Sequence, residues 1–316
     1  MTTTKKSEKT QRSIAASRPT VVTASVLEAA GNLADNIKAD NILVVAHSRV
    51  DRDWVDRTSE RHSVVLAVES KRWANIYKQE GRTTMLHSSP PLDRFSRIAH
   101  ATISAISEGL IRHRARVVSV TGPIGGDALD SVTIVKTSSL LRELTALERE
   151  TGKKANVLPV VKATIDVALE LGAFGMEGRP VGTIFVIGDT ASVLKLSRQG
   201  TFNPFRGYDD RQKNILTPEL RDSVKMFAQI DGAFIIREDG TINAAGSLLL
   251  MPKGTAPILK GMGARHNAAA FLTRETEAIA VVVSQTTGTV SVISKGRILF
   301  SLSPASRTAT ALYAHE

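Results

Sequence analysis

No apolar run in this chain is longer than a β-strand. The longest, such as residues 42–46 and 278–283, fall far short of the roughly 20 residues that a bilayer-spanning helix needs. That argues against a helical membrane protein. It also sets the expected fold: short buried strands alternating with helix-period segments, which indicate an α/β layer with a largely parallel sheet. At 316 residues there is room for two domains, and 42% hydrophobic content with 23% charge is that of a soluble globular chain. The first 20 residues hold no apolar core of a signal peptide, and the chain has no cysteine. Disulfides and thiolate chemistry are therefore excluded, and a cytoplasmic location is expected.

Residues 1–20 are rich in Thr, Lys and Ser without periodicity and read as a disordered basic tail. From Thr23 a helix is expected, with Val26, Ala30, Leu33, Ala34 and Ile37 on one face. Strands are expected at 42–46 and 63–68, with a polar loop over 47–61 between them. A long helix follows at 95–112, with Phe95, Ile98, Ala99, Ile103, Ile106 and Leu110 inward, then strands at 117–120 and 132–135. A helix over 138–150 and a stop at Thr151-Gly152-Lys153-Lys154 close a first domain spanning 21–150. The second domain, 155–316, opens with a helix at 157–171 and a strand at 182–188. A loop at 199–214, a helix at 218–229 and strands at 232–236 and 241–245 come next. A short helix at 266–273 and strands at 278–283, 289–294 and 298–302 complete it, predicting a mixed sheet flanked by helices.

The net charge of +10 points to a polyanionic partner. The tail contributes five cations against Glu8, and residues 241–316 contribute seven against three acids. Aromatics are only 4%, and no aromatic-interleaved basic motif or helix-turn-helix pattern stands out, so nucleic acid is the disfavoured partner. His47, His62 and His87 fall in loops without metal-ligand spacing and read as surface residues. Thr121-Gly122-Pro123-Ile124-Gly125-Gly126-Asp127 is glycine-rich but lacks the Lys-Ser/Thr of a P-loop, and reads as a turn.

Two stretches of the second half carry chemistry. Ile230-Asp231-Gly232-Ala233-Phe234 joins a helix to a strand. Gly261-Met262-Gly263-Ala264-Arg265-His266-Asn267-Ala268-Ala269 runs from a glycine-bearing loop into a helix start. Such a loop offers backbone N–H groups beside the positive end of a helix dipole, which suits a phosphate. Arg265 and His266 would add charge-assisted donors, and Asp231 could hold a divalent metal or accept a hydroxyl proton. An acid, a phosphate cradle and a basic pair are what nucleotidyl transfer requires. Read bare, Asp231-Gly232 and Gly263-Ala264 are also compatible with ordinary turns.

The order of these motifs resembles the diadenylate cyclase (DisA-type nucleotide-binding) family over roughly residues 155–303. Val181 to Asp189 and Asn203-Pro204-Phe205-Arg206-Gly207-Tyr208 resemble the start of that domain. Asp231-Gly232-Ala233 is similar to its Asp-Gly-Ala motif. Gly263-Ala264-Arg265-His266-Asn267 is similar to a motif that usually reads Gly-Thr-Arg-His-Arg. Ser284, in Val283-Ser284-Gln285-Thr286-Thr287-Gly288, fits the serine-bearing turn that follows.

The resemblance implies condensation of two ATP molecules into cyclic di-AMP by a homo-oligomer with face-to-face domains and a divalent metal (Mg, Mn or Co). It implies Asp231 as metal ligand or base, with Gly232 and Ala233 letting ATP approach the backbone. Arg265 and His266 would sit on the phosphates, with Gly263, Ala264, Asn267 and Ser284 as further ATP contacts. Gly246, Leu248 and Leu249 would lie at the adenine side. The sequence departs from the family at Ala264, Asn267 and Gln285, losing a hydroxyl, a cation and an acid that some members carry, so reduced turnover is expected. The first domain loosely resembles the C-terminal α/β domain of pyruvate kinases at residues 30–46 and reads as a regulatory or oligomerising module. Alternatives are a non-catalytic adenine-nucleotide sensor and a DNA-associated protein using its basic tail.

Overall fold

A computed structural model describes residues 20–47, 49–138, 157–252, 254 and 256–305. The expected 138–150 helix, apart from its first residue, and the 151–154 stop lie outside them, as does the tail up to residue 19. The fold is α/β, with two mixed sheets. The first is five-stranded in the order β3-β2-β1-β4-β5. Here β1 is Asn41–Ala46, β2 Ser63–Val68, β3 Thr84–Leu86, β4 Arg116–Thr121 and β5 Ser131–Lys136. The first four are parallel, and only β5 runs against its neighbour. β1 and β2 are apolar on both faces, as a sheet covered on both sides requires.

Helix α1 (Val21–Ile37) starts where Thr20 accepts from the backbone N–H of Thr23, and it ends on Lys38 in the left-handed region. Three elements of this half depart from the sequence reading. Residues 52–59 form helix α2 (Arg52–Ser59), not loop, because Asp51 caps it and Trp54, Val55 and Thr58 bury one side. Helix α3 (Lys71–Gln79) and strand β3 were not anticipated. Helix α4 is Arg94–Ser107, capped by Asp93, and its Phe95 is 75% exposed rather than inward. The inner side of its first turn is taken instead by Arg97, which donates to Thr121 Oγ1 at 2.5 Å and to the Gly122 carbonyl, satisfying the glycine-rich turn.

The second sheet is seven-stranded, in the order β12-β11-β10-β6-β8-β9-β7. Its strands are β6 (Ile184–Ile187), β7 (Ser197–Gln199), β8 (Ala233–Ile236), β9 (Ile242–Leu249), β10 (Ile279–Val283), β11 (Val290–Ser294) and β12 (Arg297–Leu302). Only β6 and β8 are parallel neighbours. Helix α5 (Leu158–Phe174) has Pro159 in its first turn and is buried on nearly every side, so it is a core helix rather than an amphipathic one. Two short helices, α6 (Thr190–Lys195) and α7 (Leu220–Phe227), and then α8 (Ala264–Glu275) complete the domain. Among the described residues no helix is long and apolar enough to cross a membrane.

One apolar core runs through both sheets. Leu43, Val45, Val65 and Ile103 of the first half join Val161, Ile165, Phe185 and Phe234 of the second. Helix α4 mediates this, packing on β1, β2 and β4 and also on α5 and β12. Ser303 N–H donates to Ser96 Oγ at 2.8 Å, and His100 Nε2 lies 2.9 Å from Asp166 Oδ1 on α5. His87, expected at the surface, is 1% exposed. It follows β3 directly and is carried under α4, its ring centroid 5.0 Å from that of His100. His47 and His62 pair instead with Glu69 and Asp35.

Burial, with His100 and Arg97 nearby, holds His87 well below the usual histidine range. Burial pushes Asp166 up, but the His100 hydrogen bond and the charges of His100 and Lys162 outweigh it, leaving the carboxyl low. Both groups therefore bind fewer protons folded than unfolded, and stability must fall as pH drops. The melting temperature is expected to decline as pH falls through about 6.5, where His87 titrates in the unfolded chain, with a further loss below about 4 from Asp166. A His87→Gln variant should lose the upper part of that decline; thermal melts across the pH series check it.

Candidate active site

The two sequence motifs meet at one end of the second sheet. β6 pairs with β8 so that Ile184 faces Ala233, and with β10 so that Ile184 faces Val282. β9 pairs with β8 so that Ser247 faces Ala233. The segments just beyond these pairs are therefore neighbours: 180–183 before β6, 230–232 before β8, the end of β9, and 284–285 after β10. β9 runs on to Leu249 rather than stopping at 245, which brings Gly246, Leu248 and Leu249 onto this end of the sheet.

The local backbone depends on two glycines. Gly232 has φ +116°, and a Cβ there would stand 2.5 Å from the Gly246 carbonyl carbon. Gly246 has φ +68° and lies at a register shift between β8 and β9, a β-bulge of the kind common beside active sites. Its carbonyl accepts from Gly200 N–H at 2.9 Å, and Asn203 and Gln199 bond the neighbouring carbonyls of Asn243 and Ala245. The Asn203 segment thus fastens the loop before α7 to β9.

Helix α8 points its N-terminus at the same place. Gly263 is its N-cap and supplies no side-chain hydrogen bond, and Gly261 to Ala264 are exposed. The first-turn N–H groups and the positive end of the helix dipole thus face outward together. Arg265 Nη2 lies 3.7 Å from Asp231 Oδ1, and Arg265 Nη1 donates to Gln285 Oε1 at 3.3 Å. Gln285 in turn donates to the Pro180 carbonyl at 3.4 Å. A Cβ on Gly182 would come within 2.8 Å of Gln285 Cβ and 3.1 Å of Arg265 Nη1, so that backbone forms the floor under the guanidinium. Gln285 and Gly182 as supports of Arg265 were missed in the sequence, because their role exists only where three segments converge.

Other expected residues sit differently. Asp231 is 84% exposed on its side chain. His266 is 7% exposed, and burial lowers its pKa, so at neutral pH it offers a neutral imidazole rather than a charge. Asn267 is also buried: its side-chain oxygen accepts from Leu259 N–H at 2.9 Å, and its amide nitrogen donates to the Met262 and Leu259 carbonyls at 2.9 and 3.2 Å. It fastens the loop ahead of α8 to the helix. Ser284 Oγ accepts from Thr287 N–H at 3.3 Å, which leaves its own proton to donate. Leu248 and Leu249 are half-buried. Among the described residues no three His, Asp or Glu side chains cluster as a ready metal site. Asp231 alone fits a hard divalent ion of the kind that takes one carboxylate and completes its shell with phosphate oxygens and water.

Residues 170–298 match the family described as DisA bacterial checkpoint controller nucleotide-binding, and residues 23–145 match one described as probable sensor domain DacZ_P. A diadenylate cyclase of Methanocaldococcus jannaschii is 36% identical over 208 residues, covering 66% of this chain and 66% of that relative. A diadenylate cyclase of Haloferax volcanii is 31% identical over 212 residues, covering 66% of this chain and 75% of that one. The chain thus matches about two-thirds of the length of the first relative. A solved pyruvate kinase from Cryptosporidium parvum aligns with 38% of this chain and 24% of its own at 17% identity, with a TM-score of 0.31, too low to carry a fold argument.

Because Asn267 is spent on the loop, replacing it by the arginine usual at this position should not add a phosphate cation. Asn267→Arg and Asn267→Ala are both expected to destabilise the protein, by about 1–3 kcal/mol for the orphaned backbone groups. Denaturant unfolding measures this. An Arg variant as stable as the parent would contradict the clamp.

Proposed function

We infer, because this chain belongs to the diadenylate cyclase family, that it condenses two ATP molecules into cyclic di-AMP and releases two pyrophosphates. It is a nucleotidyltransferase. The observation that carries the reading is the meeting of Asp231 with Arg265 at the open N-terminus of α8. A triphosphate laid against that N-terminus meets backbone N–H groups and a guanidinium held in place by Gln285. The Ser284 hydroxyl and the neutral His266 ring add donors. Ala233 and the bulge at Gly246 let a nucleotide lie close to the strands, with Leu248 and Leu249 along the adenine.

Asp231 accepts the proton of the attacking 3′-hydroxyl or holds the divalent ion that the reaction uses. The new bond joins that 3′-oxygen to the α-phosphorus of the second ATP. The bond that breaks is the one from the α-phosphorus to the bridging oxygen, and pyrophosphate leaves with its electron pair. When bound beside Asp231, Mg²⁺, Mn²⁺ or Co²⁺ supplies charge neutralisation on the phosphates. Because Asp231 and the Gly261–Ala264 loop are exposed, one chain leaves this face of the nucleotide uncovered. Two chains meeting by a two-fold axis cover both, and the two half-reactions are then equivalent. Residues 21–150 serve as the regulatory module of a cytoplasmic enzyme, and the chain from 155 on as its cyclase domain.

Incubation with ATP and each of the three ions, read by mass spectrometry, should yield cyclic di-AMP. Asp231→Ala should remove the product, and Arg265→Ala should lower the rate by about 10³-fold, the worth of a cation on a transferring phosphoryl group. ATP binding without product under every ion would replace this reading with that of a nucleotide sensor.

A further inference from the structure

The contact between the two halves encloses a half-open cavity of about 350 Å³, at the small end of the range for metabolite sites. None of the nucleotide motif residues lines it. Leu86 and His87 after β3, His100 on α4, Lys162 and Asp166 on α5, and Arg221 on α7 form its walls.

Its polar atoms are unevenly satisfied. Asp166 takes His100 Nε2 at 2.9 Å and Lys162 Nζ at 2.7 Å. Glu170, the other acid of the wall, is held by Lys225 at 2.7 Å. By contrast, both ring nitrogens of His87, Nδ1 of His100 and Nε of Arg221 are buried with no hydrogen-bond partner among the described residues. His87 is 1% exposed and His100 also 1%, so water does not serve them freely. A buried polar atom of this kind is unfavourable unless something pairs with it. The unspent donors are Arg221 Nε and one nitrogen of the neutral His87 ring, and the fork-shaped Arg221 guanidinium is held only loosely, with Nη2 3.8 Å from Asp166. Donors of that kind select an oxyanion. Leu169, Phe174 and Pro91 supply apolar wall beside them, room for a small organic body.

We propose that this cavity is a second binding site, for a small oxyanion-bearing metabolite whose head is held by Arg221, Lys162 and His87, with the His100 ring beside it. Its walls come from both halves of the chain, so its occupant ties β3 and α4 of the first sheet to α5 and α7 of the second. The site stands on this geometry alone and is independent of the cyclase reading.

The test titrates the full chain with inorganic phosphate and, separately, with succinate, following the imidazole NMR resonances of His87 and His100. A saturable shift of both resonances supports the site. Phosphate alone acting identifies a phosphate ester as the ligand class, and succinate alone a carboxylate. Arg221→Gln, on a helix face one-third exposed, should weaken binding by about tenfold, the worth of one charge-assisted hydrogen bond. Lys162→Gln should weaken it similarly, and Asp231→Ala should titrate as the parent does. Absence of a shift with both probes, or titrations unchanged in both cavity variants, overturns the proposal.

Discussion

The close approach of two backbones at Gly232 and Gly246 is the constraint on which the rest of the site depends. A Cβ at Gly232 would sit inside the contact distance of both Gly246 and Ser247. Only because neither residue carries a side chain can β9 close on the start of β8 with its bulge intact. That closure sets Asp231 at the rim. It also sets the height at which 180–183 and 284–285 emerge, and so where Arg265 can find Gln285. Substitution at either glycine would strain φ and push the strands apart at once.

Around that fixed end the protein holds its cation by polar scaffolding rather than by burial. Gln285 spans the Pro180 carbonyl and the Arg265 guanidinium, while Asn267 ties Leu259 and Met262 to the first turn of α8. Two of the three departures from the family's usual motif thus have structural employment, as neutral amides that hydrogen-bond both ways. An acid at 285 could accept from Arg265 but could not donate to the Pro180 carbonyl. Ala264 has no comparable role in the structure.

Much of the fold was legible in the sequence. β1, β2, β6 and β10 are compact runs of branched apolar residues, and burial on both faces writes such strands without alternation. α2 was not legible, because Trp54 and Val55 are its only apolar residues among four charged neighbours and its Asp51 cap reads equally as a loop residue. Phe95 misled because periodicity marks a stripe but cannot say that a buried arginine will claim the inner side of the first turn. His87 misled for a related reason: its burial comes from a helix and a sheet that meet in space, and no local pattern carries that. The order of the chemical motifs was readable, and what they rest on was not, since the Pro180–Gln285–Arg265 link joins residues more than a hundred positions apart.

The core that passes unbroken from β1 and β2 through α4 to α5 and β8 has a thermodynamic consequence. Each half also keeps an apolar cluster of its own, but unfolding either one strips apolar cover from the core that the two share. The chain should therefore behave as a single cooperative unit, with one calorimetric transition rather than two. The N-terminal half is then part of the heat capacity and the rigidity of the catalytic half, and not a detachable accessory to it.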